Sequence, residues 1–306
     1  MTPPPAQRLQ LSITAEGPLF PPDQQHRLLE VARVADQAGA DYIDISEHVL
    51  MGLGALEAGQ GWEPHHLEMP QPESLTALAA MIGATQRIRI LSSIVIAPLR
   101  PAGLLAKQAA TLHALSRGRF VLGVTASWHA DEYAALERDY VNRGRVLDDT
   151  IAACRALWTG APTSFHSPTV NFDDMFCSPR PAPGERIPVW FGGKFTPRQV
   201  RRVVALGDGW MPWSGLRMSV DAKREAASVL RERYLQAGRD PATLAICDSL
   251  REVDGSLERS LEQVPELAAA GVNVFRVNLR RFMKAPDDAL PLVERTVRLF
   301  ESYRTA

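Results

Sequence analysis

The sequence predicts a closed (β/α)8 barrel, eight parallel strands ringed by eight helices, with insertions after strand two and before strand five. Three observations lead there. Short apolar runs alternate with helix-period stretches, the rhythm of a parallel sheet with helical crossovers. Eight of each can be placed, and an open doubly wound sheet usually has fewer strands. Ile88 to Ile96 is nearly continuous apolar sequence, as expected of a strand buried on both faces.

Strand one is Arg8 to Thr14, followed by a helix that Asp23 caps and that carries Leu28, Leu29, Ala32 and Ala35 at helical spacing. Gly39 ends it. Strand two is Tyr42 to Ser46, and helix two starts near Glu73-Ser74. Strand three, Ile88 to Ile96, leads into a helix from Pro101 to Leu115, proline being suited to a first helical turn. Strand four is Phe120 to Val124, and its helix runs from about Arg143 to Trp158. Strand five, Pro188 to Phe191, precedes a helix beginning at Thr196-Pro197; strand six is Gly209 to Met211, with a helix from Ser219 to Ala237. Strand seven is Leu244 to Cys247, helix seven Leu257 to Ala270, strand eight Val272 to Leu279, and the last helix Asp288 to Ser302.

Two stretches break this rhythm. Residues 49–72 are Gly-rich and carry Trp62; because they follow a strand they belong to the face where barrel active sites form, and they read as a lid. Residues 160–187 hold prolines and aromatics in strand-like pieces and read as an interfacial hairpin. The whole of 1–306 is expected to be one barrel domain, with 1–7 a flexible tail and no signal peptide.

Composition narrows the function. With 306 residues, 45% hydrophobic and 23% charged, the chain has an ordinary globular make-up. Its 34 basic and 35 acidic residues leave a net charge of −1, which argues against nucleic-acid or membrane-surface partners. Cys154, Cys177 and Cys247 form no CxxC pair, so a reducing, cytoplasmic setting without structural zinc is expected. Gly52-Leu53-Gly54 lacks the third glycine of a dinucleotide fingerprint, Gly54 to Gln60 has glutamine where a phosphate loop needs lysine, and Glu47-His48 is not part of HExxH. What remains is polar residues at strand ends: Ser46-Glu47-His48, Ser92-Ser93-Ile94, Thr125-Ala126-Ser127-Trp128-His129, Gly192-Gly193-Lys194, Asn278 and Arg280.

Five segments, in order, resemble the luciferase-like monooxygenase superfamily. They are Glu73-Ser74-Leu75 leading through Ile88-Arg89-Ile90 to Leu104-Leu105-Ala106-Lys107-Gln108, Arg117 to Val124, Arg143 to Asp148, Ile187 to Gly193, and Leu206 to Trp210. The similarity runs from about residue 8 to 213. Glu47-His48-Val49-Leu50-Met51 most resembles the branch that uses coenzyme F420 rather than FMN. The resemblance implies a barrel mouth that seats a flat redox ring, a non-proline cis peptide at Ser93-Ile94 under that ring, and further cofactor contacts from Thr125, Ala126 and Ser127. It implies a homodimer as well. Gly192 and Gly193 are expected to bring backbone N–H groups to the cofactor phosphate, with Lys194 adding charge.

His48 is the leading proton donor or acceptor, with Glu47 beside it; Glu47 stands where the F420 branch usually has aspartate, and that substitution leaves its ring contact open. Met51, Trp62, Leu53 and Leu56 are expected either to cover the substrate or to pack against a partner subunit, and Arg280 and Arg281 to hold an anionic substrate or the acidic tail of F420. Trp128 occupies the place of an acidic residue in F420-dependent sugar-phosphate dehydrogenases, which argues against that oxidation here, while His129 reads as a partly exposed helix-start residue. Hydride transfer between F420 and a small organic substrate is the leading expectation. FMN-dependent monooxygenation is the runner-up. Two other classes compete: a metal hydrolase using Glu47, His48, His65 and His66, and a non-catalytic cofactor-carrying barrel.

Overall fold

The computed structural model describes residues 8–59, 61–212 and 217–304; the expected tail at 1–7, and Gln60, lie outside the described residues. Eight strands form the cylinder: β1 Gln10–Thr14, β2 Tyr42–Ile45, β3 Arg89–Ser92, β4 Phe120–Thr125, β5 Val189–Gly192, β6 Gly209–Met211, β7 Ala245–Ser249 and β8 Val274–Asn278. Each pairs in parallel with the next, and β8 closes on β1 with Gln10 opposite Val274.

Helices follow the strands: α1 Leu28–Ala38, α2 Ser74–Ala84, α3 Ala102–Leu115, α4 Arg143–Thr159, α5 Pro197–Leu206, α6 Val220–Gln236, α7 in two pieces (Leu257–Leu261 and Val264–Ala269) and α8 Ala289–Arg304. The side chains of Glu73, Thr196, Ser219 and Ser256 each accept a backbone N–H in the first turn of their helix, contributing about 1 kcal/mol per cap. The expected cap at Asp23 does not form. Pro22–Arg27 is a 3-10 segment instead, started by Pro22 and tied down by the Gln25 amide on the carbonyls of Gly17 and Phe20. Helix seven breaks because Pro265 has no N–H to continue it and opens a new segment.

The barrel interior is layered by the two-residue period of its strands. Tyr42, Leu91, Val121, Trp190, Met211, Cys247 and Val274, one from each of seven strands, fill the bottom. Two residues further along the same faces, the filling turns polar. Arg276 pairs with Asp44, which also accepts hydrogen bonds from the Ser12 and Thr14 hydroxyls. Burial works against the Arg276 charge, but Asp44 outweighs it and the guanidinium is held above its ordinary value. Outside the strands, Ile13, Ile43, Ile90, Phe120, Leu122 and Phe191 pack against the helices; each such burial contributes about 1.5–3 kcal/mol.

Strand three does not run unbroken to Ile96. Leu91 pairs with Val121 but Val95 with Val124, so four steps on one strand oppose three on the other, a β-bulge. The Ser92 hydroxyl replaces the ladder there, donating to the Gly123 carbonyl and accepting from the Gly123 N–H. The extra residue falls at Ser93-Ile94, whose peptide is cis, as the resemblance implied. Residues 160–187 contain an antiparallel hairpin, Thr163–His166 with Asn171–Met175. The segment 49–72 holds two short helices, Gly54–Glu57 and Pro64–Leu67. Among the described residues no helix is long and apolar enough to cross a membrane.

Candidate active site

The carboxyl ends of the strands open into a cleft of about 1070 Å3, the size of a small-molecule site. His48, Ser93, Ile94, Thr125 and Ser127 line it, together with Trp128, Gly193, Lys194 and Arg280. The lid segment contributes Trp62, His66, Met69 and Gln71.

His48 leaves the end of β2 within an aromatic cage. Its ring meets Trp62 edge-on at 5.5 Å and Trp128 at 5.5 Å, and His129 lies 6.3 Å away. Its Nδ1 faces Glu132 Oε2 at 3.2 Å. Glu132, fully buried, sits on a short helix, Ala130–Ala135, just after β4. Its other oxygen accepts the N–H groups of Val49 (2.5 Å) and Leu50 (3.3 Å). A carboxylate engaged as an acceptor requires Nδ1 to donate, which leaves His48 Nε2 without a hydrogen-bonding partner among the described residues.

The same short helix holds the rest of the lid's first turn. His129 Nε2 accepts from Gly52 N–H at 2.8 Å, and Asp131 Oδ2 from Gly54 N–H at 2.8 Å. A Cβ at Gly52 or Gly54 would come within 2.6–2.7 Å of Asp131, so these glycines permit the close approach rather than marking a nucleotide fingerprint. His129 stands at the helix start, as expected, without a side-chain cap, and it is buried rather than partly exposed, because the lid covers it. Burial, assisted by His48, holds its imidazole below the ordinary value against the opposing pull of Glu132 and Asp131.

Glu47 requires a correction. Instead of facing a reacting group, its carboxylate is fully buried and accepts from the Ser74 hydroxyl, Ile96 N–H and both terminal nitrogens of Arg100. With both oxygens engaged, it ties β2 to the start of α2 and to the residues after the bulge, and it has no free oxygen for proton transfer.

The glycine pair requires another. Gly193 donates its N–H to the Met211 carbonyl and accepts Trp210 Nε1, so that amide is not available to a phosphate. Gly192 is buried beneath Ile94: a Cβ there would meet Ile94 Cδ1 at 2.0 Å. Its absence of a side chain is what lets Ile94 lie where it does. Ala126 stays out of the cleft; its carbonyl accepts the Tyr133 hydroxyl. Met51 is also absent from the lining, and Leu53, expected in the cover, is 74% exposed. Lys194 is exposed and has no hydrogen bond or ion pair among the described residues.

Two features fit a planar ring with one polar edge and an anionic tail. The Ser93 hydroxyl is buried, lines the cleft and has no hydrogen-bond partner. Four cations, Arg143, Lys194, Arg280 and Arg281, line the cleft against two carboxylates, Glu16 and Glu47, of which Arg100 neutralises the second. No group of three or more His, Cys, Asp or Glu placed to hold a metal occurs among the described residues.

Glu132, Arg100, Arg143 and the Ser92 bridge were not singled out from sequence. The only local signal for Glu132 was an acidic pair, Asp131-Glu132, directly after a strand-four terminus rich in polar and aromatic residues.

The family model for luciferase-like monooxygenases matches residues 7–252. An uncharacterized protein of Mycobacterium tuberculosis is 26% identical over 281 residues, 90% of this chain and 95% of its own. The FMNH(2)-dependent dimethylsulfone monooxygenase of Pseudomonas putida is 27% identical over 167 residues, 54% of this chain and 42% of that one. Among solved structures, an F420-dependent secondary alcohol dehydrogenase in complex with an F420-acetone adduct matches with a TM-score of 0.76 at 15% identity, covering 95% of this chain and 99% of that chain. A type II Baeyer-Villiger monooxygenase of Pseudomonas putida in complex with FMN matches at 0.72 and 13% identity, with 97% and 98% covered. At these identities the structural matches speak for the fold.

Proposed function

We propose, from the premise that this chain belongs to the luciferase-like monooxygenase family and is an enzyme, that it moves hydride between coenzyme F420 and a small organic substrate. The observation that carries this reading is the cleft's division of labour. An unpartnered Ser93 hydroxyl and the Ile94 side chain suit the ring, and four cations suit an acidic tail longer than the single phosphate of FMN.

When bound, the deazaflavin supplies or accepts the hydride. The chain's own residues do the rest. Ile94, held up by the bulge and seated over Gly192, supports the ring, and Ser93 offers a hydroxyl to its polar edge. Lys194, Arg280 and Arg281 bind the anionic tail as point charges, and Arg143, fixed over Tyr140, adds to the positive field; no role falls to the Gly193 amide. His48 holds or accepts a proton at Nε2, where a substrate oxygen gains or loses one as hydride moves at the neighbouring carbon. Trp62 and Trp128 flank the imidazole and exclude water from that exchange.

A second reading, FMN-dependent oxygen insertion, is supported by the likeness over about half the chain to the dimethylsulfone monooxygenase. Titrating the cofactor-free protein with F420 and with FMN decides between them. Saturable F420 binding that weakens as the glutamate tail is shortened supports the first. FMN saturation with reductant-dependent oxygen uptake, and no F420 binding, replaces it with the second.

A further inference from the structure

Glu132 lies at the centre of an arrangement that cofactor binding alone does not explain. Its side chain is fully buried, on a helix outside the barrel, and its two oxygens are divided between two elements. Oε2 meets the catalytic candidate, His48 Nδ1; Oε1 takes the first two lid amides, Val49 and Leu50. The lid is clasped again one turn on, Gly52 N–H to His129 and Gly54 N–H to Asp131, so two side chains of one short helix and the residue just before it grip four backbone groups within six lid residues. The remaining charged groups near the imidazole are otherwise occupied or apart. Glu47 is held by Arg100, and the Arg143 guanidinium lies over Tyr140 and bonds the Ser127 carbonyl.

An imidazole works as a proton carrier toward substrate only if the correct nitrogen is presented, and the partner of the other nitrogen decides which one that is. We infer that Glu132 is a positioning residue that couples lid docking to the tautomer of His48. With the lid seated, its carboxylate holds Nδ1–H and leaves Nε2 unprotonated toward the cleft. With the lid lifted, Val49 and Leu50 release Oε1, and the carboxylate is no longer fixed opposite His48. The active ring and the closed cleft are then one state rather than two independent ones. This rests on the reading of His48 as the proton-carrying group.

The test uses the cofactor-free full chain labelled with 15N histidine, at pH 9, where an ordinary imidazole is neutral. Wild type is expected to give the Nδ1–H tautomer for His48. Glu132→Gln keeps a carbonyl oxygen for the lid amides and places an NH2 group against Nδ1, so the tautomer is expected to switch to Nε2–H. A purely structural Glu132 would leave it unchanged. Coupling in the other direction is read by amide exchange. His48→Phe, which keeps a ring but removes the donor, is expected to speed exchange at Val49 and Leu50 about threefold or more, leaving Gly54 on Asp131 unaffected, as loss of one partner in a shared network predicts. An Nε2–H ring in wild type, no switch in the glutamine variant, or unchanged exchange in His48→Phe overturns the inference. If Glu132→Gln does not fold, the wild-type tautomer and the His48→Phe exchange still decide it. None of these readouts needs a cofactor, so failure to bind F420 would sink the proposed function without touching this result.

Discussion

Arg100 grips both oxygens of Glu47 across 53 residues of chain, at 2.9 and 2.6 Å, in a site where the glutamate has no solvent exposure. The pair joins the chain just past β2 to Arg100, two residues before α3, and His48 is the next residue after the buried carboxylate. The placement of His48 therefore depends on an ion pair that takes no part in the chemistry.

Removing Glu47 leaves the largely buried Arg100 guanidinium with Glu73, a partly exposed carboxylate, as its remaining ionic partner among the described residues. Glu47→Ala is expected to cost about 1–3 kcal/mol of stability in urea unfolding, the scale of buried donors left without their acceptor, with Glu47→Ala/Arg100→Ala costing less than the sum of the single changes. A loss below about 1 kcal/mol, the scale of an exposed pair, would show that the pair does not anchor the strand end.

His48→Ala is expected to lower turnover about 10²–10⁴-fold while changing cofactor affinity by less than about threefold. Stopped-flow hydride transfer together with a binding titration separates the two effects. A variant that turns over at the wild-type rate would remove His48 from the proton step.

Lys194 has no ionic partner among the described residues, so its charge is free for a ligand. Lys194→Ala is expected to weaken binding of the anionic cofactor about tenfold and to flatten its dependence on salt, at unchanged stability. Equal affinity and an equal salt slope in both proteins would rule out the lysine as a tail contact.

Gly192→Ala would drive a methyl into the space of Ile94 Cδ1. We expect a stability loss of about 1–3 kcal/mol and weaker ring binding, because Ile94 has to leave its seat. A crystal structure of the variant with Ile94 unmoved would contradict that account.

His129 gives the lid a pH dependence. Its folded value is depressed, so the folded state resists protonation that the unfolded state accepts near 6.5. The stability linked to this residue is therefore complete above that value and is lost as pH falls through the lower folded value. Protonation also turns Nε2 from acceptor to donor and breaks the Gly52 clasp. The protection factor of the Gly52 amide, its exchange rate relative to the intrinsic rate at each pH, should fall as pH drops through the lower folded value in wild type but not in His129→Gln, whose amide oxygen remains an acceptor. Identical profiles in the two proteins would locate the acid sensitivity elsewhere.

The order and number of strands and helices were legible because periodicity is local. Val-, Ile- and Leu-rich runs such as Ile88–Leu91 and Phe120–Val124 specify strands by their own neighbours, and caps such as Thr196 and Ser219 specify helix starts within four residues. The cleft's polar strand ends were legible for the same reason, since a strand's last residues point to one mouth of the barrel.

What each of those side chains does was decided only by closure of the cylinder. Glu47 and His48 are adjacent in sequence and similar in promise, yet one is used up by Arg100 and the other is left facing the cleft. Glu132 reaches His48 across 84 residues, and Gly192 makes room for Ile94 across a neighbouring strand. Hydrogen-bond partners are chosen by proximity in space, and for residues so far apart along the chain no pattern of spacing encodes it. The sequence by itself determined the barrel and the face that carries the site; tertiary packing assigned each polar group there either to a neighbour or to the cleft.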